Sequence, residues 1–355
     1  MKRPSWVLSE RGNKMNDTTT PVITEYKKKD FQSAAEVRWC PGCGDYSILS
    51  SLQLALTKTG KKKEDIVCVS GIGCSSRFPY YMGTYGYHSI HGRAPAVASG
   101  IKCANPDLSV WIITGDGDGL SIGGNHTIHA LRRNLDMNIL LFNNEIYGLT
   151  KGQYSPTTKE GKITKSSPYG SIDHTFNTGK LAMGSGATWI AKSIDTDPKH
   201  MMEMMVAADK HKGISFLEMY QNCVIFNDKV HDEYTSRNTR DDNCLYLEHG
   251  SPMIFGKDKN KGIMLKGFEL VVVTIGENGI TEKDILIHDK YNEILAYQLL
   301  NYSHPPQFPM AIGEIFEKNA ATYNDDMVKQ IDEVTAKKGP GKFKDLLFSG
   351  ETWKV

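Results

Sequence analysis

The chain has 355 residues, 39% apolar and 23% charged, with 33 glycines and a formal net charge of +1. That length is ample for one large domain with additions, or for two domains, and for a sizeable core. A near-neutral balance argues against a nucleic-acid surface, and no apolar run approaches the ~18 residues that a membrane helix needs.

Residues 1–35 are polar, carry Lys27-Lys28-Lys29 and show no helical or strand period, so an extended arm is expected there. The opening MKRPSWVLSERGNK lacks the apolar stretch of a secretory signal. Seven cysteines are an odd number for a secreted disulfide framework and fit a reducing cytoplasm with metal binding. Two of them stand in Trp39-Cys40-Pro41-Gly42-Cys43-Gly44-Asp45, a tight knuckle suited to zinc, an iron–sulfur cluster or a redox disulfide. A helix over 47–56 follows, and its N-terminus favours thiolate charge. Residues 66–70 read as a buried strand ending in Gly71-Ile72-Gly73-Cys74-Ser75-Ser76-Arg77, which places Cys74 in a strand-end turn. The aromatics between Tyr80 and Tyr87 alternate with glycine and read as loop packing, and His88 reads as structural. His91-Gly92-Arg93 suggests a loop that hydrogen-bonds a phosphorylated or heterocyclic cofactor. Cys68, in a strand, and Cys103, in a helix from about Ala94, read as small buried hydrophobes.

The stretch from Leu108 to Gln153 carries the densest signal. A buried strand over 108–114, a glycine-rich turn, a helix over about 122–134 and a second strand over 138–142 form a β-turn-α-β unit. A right-handed crossover then puts Gly115-Asp116-Gly117 and Asn143-Asn144 at one edge of a parallel sheet, where open α/β sheets bind ligands. Asp116 and Asn144 are hard oxygen donors of the kind Mg²⁺ prefers, and the glycines admit a diphosphate close to the backbone. Leu120 stands where a dinucleotide fingerprint needs glycine, and no Gly-Lys-Ser/Thr of a P-loop occurs.

A polar loop from Thr150 to about Asp173 is longer than compact domains keep without a purpose, and Lys151 within it could pair with an anion. Met201, Met204, Met205 and Ala208 mark an ordinary packing stripe on a helix over 200–211. A strand over 214–220 ends in a turn holding Cys223, the fourth candidate thiol ligand. Cys244, in a polar stretch, is expected to be free. Beyond it one strand over 268–275, a mixed helix near 285–301 and Pro305-Pro306 suggest an interface or capping region. One knuckle plus two isolated turn thiols suits a Cys₄ [4Fe–4S] cluster better than a two-knuckle zinc ribbon, with zinc the alternative on thiol count.

Gly115-Asp116-Gly117 followed by Asn144 resembles the thiamine-diphosphate signature. Combined with the Cys40/Cys43 knuckle, Gly71 to Ser75, His91 to Arg93, Asp118 and Tyr147 to Gln153, it resembles the β subunit of 2-oxoacid:ferredoxin oxidoreductases over residues 36–228. Ser155-Pro156-Thr157 and the run from Gln221 to Asn227 look most like the 2-oxoglutarate branch. The resemblance implies an α/β, doubly wound parallel sheet of the thiamine-diphosphate-binding type at 36–228; outside the match, composition marks the 1–35 arm, a linker at 229–250 and a small C-terminal interface or capping region at 251–355. It implies Mg²⁺ on Asp116, Asn144 and the Ile146 carbonyl, and a [4Fe–4S] cluster on Cys40, Cys43, Cys74 and Cys223. Thiamine diphosphate contacts carry over to Asp45, Ile72, Gly73, Cys74, Ser75, His91, Gly92, Arg93, Gly115, Asp116, Gly117, Asp118, Asn144, Gly148, Leu149 and Thr150. Arg77 and Lys151, by charge and position, are candidates for the substrate's carboxylates, and with His91 they form the expected catalytic set.

The implied reaction is oxidative decarboxylation of a 2-oxoacid, with the acyl group passed to coenzyme A and electrons passed through the cluster to ferredoxin. In this family the glutamate that activates thiamine lies on an α subunit, so the chain alone is expected to be inactive, and a dimer of αβ heterodimers is expected. Alternatives are a pyruvate or broad 2-oxoacid enzyme, a non-redox thiamine decarboxylase or carboligase, and a metal-stapled assembly subunit.

Overall fold

The computed structural model describes residues 25–302 and 308–353. Residues 1–24 of the expected arm and Pro305-Pro306 lie outside the described residues.

Five runs rich in branched and aromatic residues form strands buried along nearly their whole length. They are β1 (Ile66–Ser70), β3 (Ser109–Gly115), β4 (Asn138–Asn143), β5 (Trp189–Ile194) and β6 (Ser215–Tyr220). With β2 (Tyr85–His88), β7 (Cys244–Leu247) and β11 (Met310–Glu317) they make an eight-stranded sheet of order β2-β1-β3-β4-β6-β5-β11-β7. All neighbours run parallel except β11 against β5. Burial on both faces is what near-continuous apolar strands require. Val67, Val69, Val110 and Ile112 face the helices Ala94–Ala104 and Gly124–Arg133. The alternate residues Ile66, Cys68, Trp111 and Ile113 face Asp45–Leu56 and Pro198–Lys210, whose Met201 and Met205 belong to that second core. The two-residue period of a strand thus feeds two cores from one sheet.

Parallel pairing brings four strand ends to one edge. Ser70 pairs with Ile113, Gly115 with Phe142 and Asn143 with Tyr220. The turns that follow carry Cys74, Asp116, Asn144 and Cys223 in turn.

The structure departs from the expected organisation at the arm, the aromatic-glycine loop, the linker and the C-terminal region. Residues 25–35 of the arm are docked: Lys28–Phe31 forms a 3₁₀ turn, Phe31 is fully buried and Gln32 bridges to Met82. One aromatic anchor in a polar stretch leaves no periodic trace. The aromatic-glycine loop contains β2, an exposed edge strand. The expected linker at 229–250 holds two helical turns and β7, where Cys244 is buried with its thiol toward the Tyr234 carbonyl. The C-terminal region likewise supplies β11 to the main sheet, so the sheet crosses both boundaries. Gly313, at φ 114, and the bulge between Glu314 and Phe316 interrupt the alternation that would have marked β11 in sequence. Only β8 (Ile254–Phe255), β9 (Lys261–Lys266) and β10 (Glu269–Thr274) form a separate antiparallel sheet, and the C-terminal mixed helix is confined to Glu293–Tyr302. Among the described residues no helix is long and apolar enough to cross a membrane.

Candidate active site

The four strand-end turns enclose two adjoining cavities. The larger, of about 480 Å³, is walled by Ile72 to Ser75 after β1, His91, Gly115 to Asp118 after β3, and Asn144 with Ile146 to Thr150 after β4. Thirteen of the sixteen expected thiamine contacts therefore face one space. The exceptions are Gly92, which packs its backbone on Gly123; Arg93, which lies at the start of the helix Ala94–Ala104 with its charge near His126; and Asp45, which lines the second cavity.

Asp118 organises the wall. Its Oδ1 accepts hydrogen bonds from the backbone N–H groups of Ile72 (2.9 Å) and Gly92 (2.7 Å) and meets His91 Nδ1 at 2.7 Å, while Oδ2 accepts from Thr114 Oγ1. One buried carboxylate so ties together three loops. Gly71 leaves room for it, because a Cβ there would lie 1.9 Å from the Asp118 carboxylate. Gly71→Ala is expected to displace Asp118, weaken thiamine diphosphate binding by at least about tenfold and cost about 1–3 kcal/mol of stability. Calorimetric titration with the cofactor and thermal melting check both effects.

Asp116 is 2% exposed, and burial pushes its carboxyl up to about 6. Its Oδ2 accepts hydrogen bonds from Ser155 Oγ and Thr157 Oγ1, both at 2.5 Å, from the long polar loop. Asn144 donates through Nδ2 to Gln221 Oε1, and its Oδ1 accepts from the Ile146 N–H at 3.2 Å, leaving that amide oxygen a second lone pair. One buried carboxylate, one amide oxygen and a glycine-lined wall fit a hydrated Mg²⁺ that takes its other ligands from phosphate oxygens.

The second cavity, of about 210 Å³, is lined by Cys40, Cys43, Cys74 and Cys223 together with Trp39, Asp45, Arg77 and Lys151. The knuckle is fastened to the Cys223 turn by the Gly44 N–H donating to the Asn222 carbonyl and by Gln221 Nε2 approaching Cys43 Sγ at 3.3 Å. Trp39 Nε1 donates to the Cys74 carbonyl at 2.7 Å, closing the third side. Gly148 reaches between two of the sulfurs: a Cβ there would lie 3.6 Å from Cys74 Sγ and 3.5 Å from Cys223 Sγ. Among the described residues no three His, Cys, Asp or Glu side chains come close enough to share one ion. Zinc would need the thiols about 2.3 Å from one point, whereas a cluster seats each thiolate on its own iron. Four thiols lining one cavity are the donor set that such a cluster takes. Burial drives the Cys43 thiol far up and the Cys74 thiol to about 12, the Asp45 carboxylate adding to both. Asp45 itself is buried beside the Cys43 thiol, and burial pushes it up to about 7.

Arg77 and Lys151 face the thiol cavity rather than the larger one, and Lys151 is exposed. Tyr147, whose hydroxyl donates to the Gly117 carbonyl at 3.0 Å, and Gln153 belong to the matched run but were not among the expected contacts, and Tyr154 was not singled out at all; all three stand in the larger wall. The proximity of Ser155 and Thr157 to Asp116 had no local signal; the length of their loop and the resemblance carried by Ser155-Pro156-Thr157 pointed to a purpose but not to that carboxylate.

The family of thiamine pyrophosphate enzymes, C-terminal TPP binding domain, matches residues 65–219. Over 333 residues the chain is 46% identical to the 2-oxoglutarate oxidoreductase subunit KorB of Mycobacterium tuberculosis, covering 93% of this chain and 88% of that protein. The 2-oxoglutarate synthase subunit KorB of Archaeoglobus fulgidus is 44% identical over 185 residues, 52% of this chain and 69% of that one. A solved 2-oxoglutarate:ferredoxin oxidoreductase from Magnetococcus marinus, with 2-oxoglutarate, coenzyme A and succinyl-CoA bound, superposes with a TM-score of 0.74 at 30% identity, covering 93% of this chain and 98% of that chain. The chain belongs to the KorB family, the β subunits of 2-oxoglutarate oxidoreductases.

Proposed function

We propose that this chain is the cofactor-bearing β subunit of a cytoplasmic 2-oxoglutarate:ferredoxin oxidoreductase, which converts 2-oxoglutarate and coenzyme A to succinyl-CoA and CO₂. The observation that carries the reading is that the two cavities share Cys74, Asn144, Gly148 and Leu149 as common walls. Bound thiamine diphosphate with Mg²⁺ would supply the electron sink for decarboxylation, and a neighbouring [4Fe–4S] cluster a one-electron outlet toward ferredoxin. Asp116, Asn144 and the Ile146 carbonyl would hold the cation, and the glycine-lined wall the diphosphate. His91, oriented by Asp118 through Nδ1, offers its other ring nitrogen to the cofactor. Exposed Tyr85, Tyr87, Ile90, Ile122 and Leu149 near the site support cover by an α subunit that brings the activating glutamate, in a dimer of αβ heterodimers.

Anaerobic purification of the complex should give thiamine diphosphate and about four irons per chain, with 2-oxoglutarate and coenzyme A together reducing ferredoxin. Iron-free protein holding zinc, or turnover that ignores an electron acceptor, overturns the reading. Lys151→Ala is expected to raise KM for 2-oxoglutarate about tenfold, the loss of one charge-assisted hydrogen bond, and to leave KM for pyruvate unchanged. An equal effect on both substrates removes Lys151 as partner of the distal carboxylate.

A further inference from the structure

Behind the tip of β4, away from the thiols, lies a third cavity of about 330 Å³ walled by Asn143, Thr157, Lys192, Glu218, Tyr220 and Tyr234. It holds an ion pair that the proposed chemistry does not use. Lys192 and Glu218 stand opposite each other on β5 and β6, are 4% and 1% exposed, and bring Nζ to 3.7 Å from Oε2. The Tyr220 hydroxyl lies 3.2 Å from Lys192 Nζ and 3.4 Å from Glu218 Oε2. Burying such a pair is weak evidence for stability, since a well-packed apolar pair of similar volume often does as well or better. Its value has to be sought in what it holds.

Glu218 Oε1 accepts a hydrogen bond from Asn143 Nδ2 at 2.8 Å. That bond, together with the Glu145 N–H that donates to Asn143 Oδ1 at 3.3 Å, fixes which way round the Asn143 amide lies, so that its oxygen faces Thr157 Oγ1 at 2.9 Å. The same Thr157 hydroxyl donates to Asp116 Oδ2 at 2.5 Å. A hydroxyl has one hydrogen, and here two acceptors compete for it. With the Asn143 oxygen held in place, Asp116 does not receive the whole of that donor, and more carboxylate charge stays available to a cation. If the amide were free to flip, its NH₂ would donate to Thr157, and Thr157 would give its hydrogen wholly to Asp116.

We infer that Glu218, anchored by Lys192, is a positioning residue that acts through Asn143 and Thr157 to keep Asp116 ready for the divalent cation. The inference rests on Asp116 being the cation ligand proposed above. Partners in the shell behind a metal ligand commonly change metal affinity by about 10–100-fold when removed.

The test uses the assembled αβ complex with thiamine diphosphate and Mn²⁺ as a paramagnetic probe, bound Mn²⁺ being read by electron paramagnetic resonance. Two double variants are compared, Lys192→Met with Glu218→Gln and Lys192→Met with Glu218→Leu. They differ chiefly in whether an acceptor for Asn143 Nδ2 remains. The Gln variant should bind Mn²⁺ close to the wild-type value and the Leu variant about 10–100-fold more weakly, with iron content equal in both. Asn143→Ala, which cuts the same path at a strand tip by removing the hydrogen bond to Glu218 but neither member of the ion pair, should show the same loss, and combining it with the Leu variant should add nothing further. Equal Mn²⁺ affinity in the Gln and Leu variants, or wild-type affinity in Asn143→Ala, overturns the inference. Absence of Mn²⁺ binding in the wild-type complex instead overturns the functional reading on which it rests.

Discussion

Cys223→Ser is expected to strip the cluster and abolish 2-oxoglutarate-dependent ferredoxin reduction while the sheet stays folded. The thiol sits in a turn closed by an isolated bridge from Cys223 to Asn227, beyond the end of β6, so the substitution touches no core side chain. Serine keeps the shape but offers a hard, barely acidic hydroxyl where a soft thiolate is required. Iron should fall from about four per chain to below about one, and the visible absorbance of the cluster should go with it. Thiamine diphosphate binding should persist, because Cys223 does not line the larger cavity. Serine at Cys40, Cys43 or Cys74 should cost the same iron, but Cys74 also walls the cofactor cavity and should weaken both sites. Cys103→Ser is the control: half-buried and outside both cavities, it should leave iron unchanged. Full iron in Cys223→Ser removes this thiol from the ligand set, and equal loss from Cys103→Ser points to general misfolding.

What the sequence disclosed follows from how far each contact reaches along the chain. Gly115-Asp116-Gly117, Asn144, Cys74 and Cys223 each follow directly on an apolar run, so their placement at one sheet edge needed only strands and the handedness of crossovers. Cys40 and Cys43 are not strand-end residues, and their meeting with Cys223 depends on hydrogen bonds from the Gly44 N–H and Gln221 that no spacing announces. Ser155 and Thr157 were visible as a loop with a purpose, but a hydroxyl carries no mark of the carboxylate it will find. Strand β11 escaped because Gly313 and a bulge break its alternation, and with it went the recognition that the C-terminal region completes the sheet. Lys192 and Glu218 show the same limit from the other side: charged residues inside apolar strands mark an anomaly in sequence, but only the fold shows that they face each other beside Asn143.

Asp116→Ala is expected to reduce turnover by at least about a thousandfold, through loss of the cation and with it of correctly seated diphosphate. The protein itself should not suffer in proportion. Burial already holds this carboxyl up at about 6, so removing it from the metal-free chain deletes a group whose charge was costly to bury, and leaves Ser155 and Thr157 able to bond each other or Asn143. Melting without Mg²⁺ should therefore shift little, whereas the stabilisation that Mg²⁺ and thiamine diphosphate give the wild type should vanish. The same raised value sets a pH signature. The cation needs the ionised carboxylate, so a proton competes with it: above about pH 6 the apparent Mg²⁺ affinity should be flat, and below it should fall toward tenfold for each pH unit. Titrating Mg²⁺ into the complex between pH 5 and 7.5 reads that slope directly, and in Asp116→Ala the slope should be absent along with the binding. A pH-independent affinity in the wild type would mean that the cation is held without Asp116, and a slope that survives in the variant would assign the titration to another group.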